Sequence, residues 1–303
     1  MNFTVKILGC NSALPAHGRH PSAQVLSYGK RNYLIDCGEG TQLQMNRFSV
    51  KKSRIDHIFI SHLHGDHFFG LFGLLQSMNL AERTKALHVF GPLGLERVVE
   101  VVLGITGNPL SYELKISELS HAGAELICSD GNLDVSAFPM DHRIPVYGYS
   151  FTEKEKRIKL DREKLEYHEV PDQEREKIRL GRDFKTKGGE VISASRFYSE
   201  VLPVRKYAYC SDTRPFDGQL KYLEGVNTLY HEATFLDLER EKAETTGHTT
   251  ALQAARIAKK SGVKKLILGH FSSRYKQTDP LVNEARTEFK ESYAAEEGKD
   301  FVI

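Results

Sequence analysis

Three histidines and an aspartate fall within six positions of the stretch FISHLHGDHFFGLFGLL, residues 59–75. They are His62, His64, Asp66 and His67, in H-x-H-x-D-H order. Imidazole nitrogens and carboxylate oxygens are the donors that Zn²⁺ accepts in catalytic sites. The spacing therefore reads as half of a metal site, against the plainer reading of a histidine-rich turn. Further ligands would have to arrive from other strand ends, and three places offer them. FPMDHRIP places His142 after a strand-like run, YAYCSDTRP places Asp212, and LILGHFSSRY places His270. Each alone is explicable as a loop residue, a turn aspartate or a helix cap. Together, five histidines and two carboxylates suffice for two metal sites that share one carboxylate.

These groups need elements to hold them. HIFISH is strand-like, and alternation along a strand would put His62 and His64 on one face. Asp66 and His67 fall in the turn that opens a helix read over GLFGLLQSMNLAER. FTVKILG, AQVLSYG and RNYLIDCG are β-rich runs bounded by glycines, and LHVFGP follows as another strand. LERVVEVVLGIT and TTALQAARIAKKSG read as amphipathic helices, and DPLVNEARTEFKESYAAEEG as a closing helix. YELKISEL, ELICS, LDVSAFPM, VYGYSF, KYAYCSD, TLYHEATF and KKLILGHF supply later strands. Strands interleaved with helices imply a layered α/β architecture with mixed sheets.

Residues 152–187 interrupt that pattern with a densely charged, apolar-poor segment. A charge run of this kind is ordinarily a solvated surface excursion. The sharper reading is a protruding arm that meets a polyanion. Its end, REKIRLGRDFKTK, carries Arg175, Lys177, Arg179, Arg182, Lys185 and Lys187 against two acidic residues.

Composition narrows the class. The chain has 303 residues, a formal net charge of +2, 40% hydrophobic and 27% charged residues. This is an ordinary balance for a globular domain, and it permits an anionic substrate without demanding one. No run of 18 apolar residues is present, so no membrane span is expected. MNFTVKILGC reads as a first strand rather than a lipoprotein leader. Cys10, Cys37, Cys128 and Cys210 form no C-x-x-C pair, which fits reduced thiols in a cytoplasmic protein.

SHLHGDHFFGLFGLL, with the later His142, Asp212 and His270, resembles the metallo-β-lactamase superfamily. The stretch HEAT at 231–234, the Gly247-His248 pair and LGHFSSRY make the whole chain similar to its ribonuclease Z branch, in the short form. The resemblance implies a single domain over 1–303 with the αβ/βα four-layer sandwich, and 152–187 as an inserted tRNA-binding arm. It implies two Zn²⁺ per subunit: His62, His64 and His142 on one, Asp66, His67 and His270 on the other, Asp212 bridging. It also implies Asp66, His248 and Glu232 as catalytic residues. The substrate would be precursor tRNA, cut to leave a 3′-hydroxyl. The enzyme would be a homodimer whose arm serves the other subunit, without membrane or DNA contacts. From the residues alone, GHTTA also reads as a plain helix start with Thr249 near the cap, and Glu232 as a surface salt-bridge partner. The first loop, PAHGRH, keeps Pro15 and Arg19 of the family's P-x-K-x-R-N motif but has His17 and His20 in place of Lys and Asn. A different phosphodiesterase on the same scaffold, acting on cyclic nucleotides or arylsulfatase-like, is the competing expectation.

Overall fold

The computed structural model describes residues 2–107 and 109–303. They form two units: one of 1–129, 135–151 and 206–303, the other of 130–134 and 152–205.

Among the described residues, two seven-stranded sheets carry the fold. The first has the spatial order Asp300–Val302, Phe3–Gly9, Ala23–Tyr28, Arg31–Ile35, Ile55–Phe59, Leu87–Pro92, Leu114–Leu119. The pairs from Asp300–Val302 to Arg31–Ile35 are antiparallel, and those from Arg31–Ile35 onward are parallel. The second runs Ser292–Ala294, Lys265–Gly269, Thr228–Glu232, Lys206–Cys210, Tyr147–Glu153, Leu133–Pro139, Glu125–Asp130. Its strands Lys206–Cys210, Thr228–Glu232 and Lys265–Gly269 pair in parallel. They are buried almost throughout, as parallel strands covered on both faces must be.

The sheets face each other across an aromatic layer. Phe59 and Phe151 meet edge to face at 5.4 Å, and Tyr33 and Tyr207 pack against the same Phe151. The tyrosines satisfy their hydroxyls across the layer. Tyr149 donates to the Ile60 carbonyl at 2.6 Å and Tyr207 to Gln24 Oε1 at 2.5 Å. Helices cover the outer faces. Gly70–Leu80 buries Leu71, Leu74, Leu75 and Met78, one stripe at 3.6-residue spacing, in the core beside the first sheet. Ala251–Lys260 does the same for the second sheet and packs on Asp279–Arg286. These are the four layers expected of the metallo-β-lactamase sandwich.

Two local expectations differ. The closing helix stops at Arg286, and the residues after it form Ser292–Ala294 and Asp300–Val302, an edge strand for each sheet. Helical spacing in ARTEFKESYAAEEG yields there to open sheet edges that a strand can satisfy. Likewise the strand predicted through His62 ends at Phe59, and His62 and His64 lie in the turn after it.

The second unit is no bare excursion. Leu165, Val170, Ile178, Phe184, Ile192, Ala194 and Phe197 gather into a core of their own. Around it lie helices Arg162–Tyr167 and Asp172–Arg179 and two small antiparallel sheets. Asp161 caps the first helix by accepting from Lys164 N. Where the insert's two chain ends run side by side, Arg205 binds Glu153 in a fork: Nη2 to Oε1 at 2.6 Å, Nε to Oε2 at 3.0 Å. Both side chains are buried. Four of the six basic residues at 175–187 are tied to neighbouring carboxylates: Arg175–Asp172, Lys177–Glu174, Arg179–Glu176 and Lys187–Glu169. Arg182 and Lys185 are exposed and have no ion pair among the described residues.

Candidate metal centre

Parallel pairing puts the C-terminal ends of neighbouring strands at one edge, where α/β sheets expose functional loops. In the first sheet that edge carries Asp36, after Arg31–Ile35, and the turn 60–67, after Ile55–Phe59. In the second it carries Asp212, Glu232 and His270, at or after three successive parallel strands. All seven predicted ligands meet there. Donor atoms of His62, His64, His142 and Asp212 lie within 4.8 Å of one another, and so do those of Asp66, His67 and His270.

Asp212 faces both groups with different oxygens. Its Oδ1 lies 3.3 Å from His67 Nε2 and 3.2 Å from His270 Nε2, while Oδ2 lies 3.7 Å from His62 Nε2. Asp66 Oδ2 stands 3.5 Å from His67 Nε2 and accepts from Ala13 N at 2.7 Å.

The remaining ring nitrogens are held from behind. His67 Nδ1 donates to Asp36 Oδ2 at 2.7 Å, His142 Nδ1 to the Gly247 carbonyl at 2.8 Å, and His270 Nδ1 meets Thr234 Oγ1 at 2.9 Å. His62 Nδ1 meets Ser61 Oγ at 3.0 Å. Fixing Nδ1 in this way leaves the Nε2 lone pairs converging. His62 Nε2 sits 3.0 Å from His64 Nδ1, and His67 Nε2 sits 3.3 Å from His270 Nε2. His142 Nε2 is buried with no hydrogen-bond partner among the described residues. Converging imidazole nitrogens, an orphaned one among them, with a carboxylate oxygen for each group fit divalent cations.

Electrostatics agree. Burial, reinforced by the neighbouring His67, pushes the pKa of His62 well down, and burial also lowers those of His142 and half-exposed His64. Neutral imidazole is the ligating form. Burial acts against the charge on His67, but Asp212, Asp66 and Asp36 outweigh it and hold its pKa well above the ordinary value. A cation entering the same field displaces that proton, so metal uptake releases protons.

The Gly247-His248 pair closes the site. Gly247 has φ +81°, and a Cβ there would come within 2.8 Å of His142 Nδ1, so only glycine serves. His248 Nδ1 donates to Glu232 Oε1 at 2.8 Å. Glu232 is fully buried, which removes the surface salt-bridge reading, and its oxygens also accept from Thr213 N, Thr234 N and Thr234 Oγ1. Burial disfavours the His248 cation, but Glu232 prevails and raises its pKa to about 9. Thr249 is buried, and the helix cap is Thr250, in a capping box with Gln253.

Asp36 is the residue that sequence reasoning missed. Fully buried and at φ +55°, it accepts from Ser61 N (2.7 Å), Ser61 Oγ (2.9 Å), Tyr209 Oη (2.6 Å) and His67 Nδ1. Its signal was an aspartate closing the apolar run YLI ahead of Cys-Gly. In the first loop, Arg19 is spent on backbone and Asn11: Nε to Asn11 Oδ1 at 2.9 Å, Nη1 to Lys276 O at 3.1 Å, Nη2 to Tyr275 O at 2.5 Å. His17 Nε2 meets Ser273 O at 2.7 Å, and His20 pairs with Glu297. The loop is thus pinned to the segment after His270.

A two-sheet sandwich with this His/Asp edge defines a metallo-β-lactamase-fold hydrolase. The folds compare accordingly: the metallo-β-lactamase fold protein YhfI from Bacillus subtilis superposes with a TM-score of 0.70 at 18% identity, covering 100% of both chains. The short form of human tRNase Z superposes with a TM-score of 0.73 at 28% identity, over 98% of each chain. Ribonuclease Z of Parabacteroides distasonis is 42% identical over 297 residues, 98% of either chain. That of Cytophaga hutchinsonii is 43% identical, covering 100% of this chain and 97% of its own. A family model described as anti-Pycsar protein Apyc1 matches residues 3–99. The chain belongs to the ribonuclease Z family, and it is a metal-dependent endoribonuclease. No helix among the described residues is long and apolar enough to cross a membrane.

Proposed function

We propose that this enzyme removes the 3′ trailer from precursor tRNA, using two zinc ions per subunit and leaving a 3′-hydroxyl. The observation that carries the two-ion reading is Asp212, which turns one oxygen to each of two ligand groups. The relatives' names, ribonuclease Z and tRNase Z, supply the substrate class. His62, His64 and His142 would hold one ion, Asp66, His67 and His270 the other, with Asp212 between. Bound there, the ions supply positive charge for phosphodiester oxygens and make water nucleophilic at neutral pH.

The chain's own groups do the proton work. Asp66 accepts the proton of the attacking water as the new P–O bond forms. His248, oriented through Nδ1 by Glu232, donates a proton from Nε2 to the departing 3′-oxygen as the old P–O bond breaks. Both oxygens of Glu232 are occupied by Thr213, Thr234 and His248, which makes it a positioning residue. The insert, through Arg182 and Lys185, grips tRNA phosphates without reading sequence, and in a homodimer it serves the other subunit.

The test is cleavage of a precursor tRNA carrying a 3′ trailer, with product ends mapped, beside hydrolysis of bis(p-nitrophenyl) phosphate and metal analysis of protein purified without added metal. Two zinc per chain and a cut leaving a 3′-hydroxyl are expected. Hydrolysis of the small diester with the tRNA left intact would sink the reading in favour of another phosphodiesterase on this scaffold.

A further inference from the structure

Phe68 and Phe69 follow His67 directly, and the chain sends them opposite ways. Phe68 is buried in the core behind the metal centre, whereas Phe69 is 63% exposed. A single exposed apolar side chain normally calls for no explanation. Phe69, however, lines a cavity of about 550 Å³ whose other walls include His64, Asp66, Asp212, His248 and His270. Among the described residues it is the one aromatic carbon ring on that wall.

The ring's place is prepared. It lies against Gly65, where a Cβ would fall 2.4 Å from Phe69 Cε2, so a side chain at 65 would drive it away. From behind, the Phe68 ring supports it at 5.0 Å between centroids. Exposed Glu39 shares the cavity wall. A carboxylate there disfavours a phosphate beside it, while His248, and the cations the ligand groups would hold, favour one beside them. A phosphate held beside His248 and the ligand groups therefore leaves the rest of the cavity, with the Phe69 ring on its wall, to the neighbouring nucleoside rather than to a second phosphate.

We propose that Phe69 is the stacking platform for the nucleobase next to the scissile phosphate, which makes it a substrate-positioning residue for the reaction. This rests on the RNA-cleaving reading above. Every base presents a π-face, so the contact fixes the strand's register at the cut without demanding one base.

Phe69→Leu keeps an apolar side chain over Gly65 and removes the π-face, and Phe69→Tyr retains it. With precursor tRNA, F69L is expected to raise KM about tenfold, with a smaller effect on kcat, and F69Y to remain within about twofold of the wild type. Precursors with an abasic residue immediately 5′ or 3′ of the cut identify the partner. One of them should raise KM for the wild-type enzyme and abolish the difference between wild type and F69L. Metal content should be the same in all three proteins. Equal KM values for wild type and F69L, loss of metal from F69L, or an F69L penalty that survives both abasic precursors each overturn the proposal. A wild-type enzyme that leaves precursor tRNA uncut overturns the functional reading and this inference with it, whereas an active wild type with an indifferent F69L removes this inference alone.

Discussion

The metal centre and the insert are both rich in ionisable residues, yet they use charge in opposite ways. At the metal centre, His62, His67, Asp36, Asp212 and Glu232 are withdrawn from solvent. Their polar atoms point at one another, so removing one leaves buried partners unsatisfied. In the insert, Arg162–Glu166, Lys177–Glu174 and Arg179–Glu176 join residues three or four apart on exposed helix faces. Such pairs, exposed and screened by solvent, add little to stability. The same side-chain types thus build a preorganised site in one place and a solvated surface in the other. Burial, which decides the dielectric, makes the difference.

Breaking the buried side of this comparison should have the largest effects. His248→Ala is expected to lower kcat on precursor tRNA by roughly 10²- to 10⁴-fold, the range for losing a general acid, with metal content kept. Retained kcat would remove it from the proposed mechanism. His64→Ala should lose metal and more than about 99% of activity, since even partners outside the ligand shell are worth 10- to 100-fold. Unchanged RNA cleavage after chelation and reloading would take away the catalytic reading of this centre. Asp36→Asn, which keeps shape and removes charge, should fall within that 10- to 100-fold range in metal affinity, read by competition with a chelator.

The insert's buried Glu153–Arg205 ion pair sharpens the contrast. Glu153→Ala should destabilise the fold by about 3–5 kcal/mol, because the buried Arg205 guanidinium loses the carboxylate that meets it in a fork. The kinetic constants on a small phosphodiester should stay unchanged. Burial would raise the Glu153 pKa, but Arg205 outweighs it and holds the carboxyl below its ordinary value. Its stabilisation is therefore complete above the unfolded-state pKa near 4.5 and disappears as pH falls through the folded-state value. Urea titrations across pH 3 to 6 read this slope, and E153Q should flatten it. The smallest effect belongs to the exposed residues. Arg182→Glu with Lys185→Glu should raise KM for precursor tRNA several-fold, lessen its salt dependence and spare the small diester. Excising 152–187 is a poorer test, because it would strip Leu165, Val170, Ile178 and Phe184 from a core that Ile192, Ala194 and Phe197 also line.

The seven ligand candidates were legible because each chemistry-bearing residue stands where an apolar strand ends, a local pattern. Asp36 was not, although it too ends a strand. Its partner His67 lies 31 residues away, and an aspartate before Cys-Gly reads equally well as a turn. The small core of the insert escaped for a related reason. Its members are spread from Leu165 to Phe197 among charged residues, and no short window reveals that they meet. The early end of the last helix depended on sheet edges built mainly from earlier parts of the chain.

By itself, then, the sequence determined the candidate donors, their place after apolar runs and the class of chemistry, because spacing and side-chain type are local quantities. Only the tertiary structure decided that Asp212 turns an oxygen to each ligand group, that Asp36 and Glu232 hold histidines in place, and that exposed Phe69 lines the same cavity as the ligands. Those facts depend on parallel strands from two sheets ending at a common edge, which brings together side chains up to 234 residues apart in the chain, from Asp36 to His270.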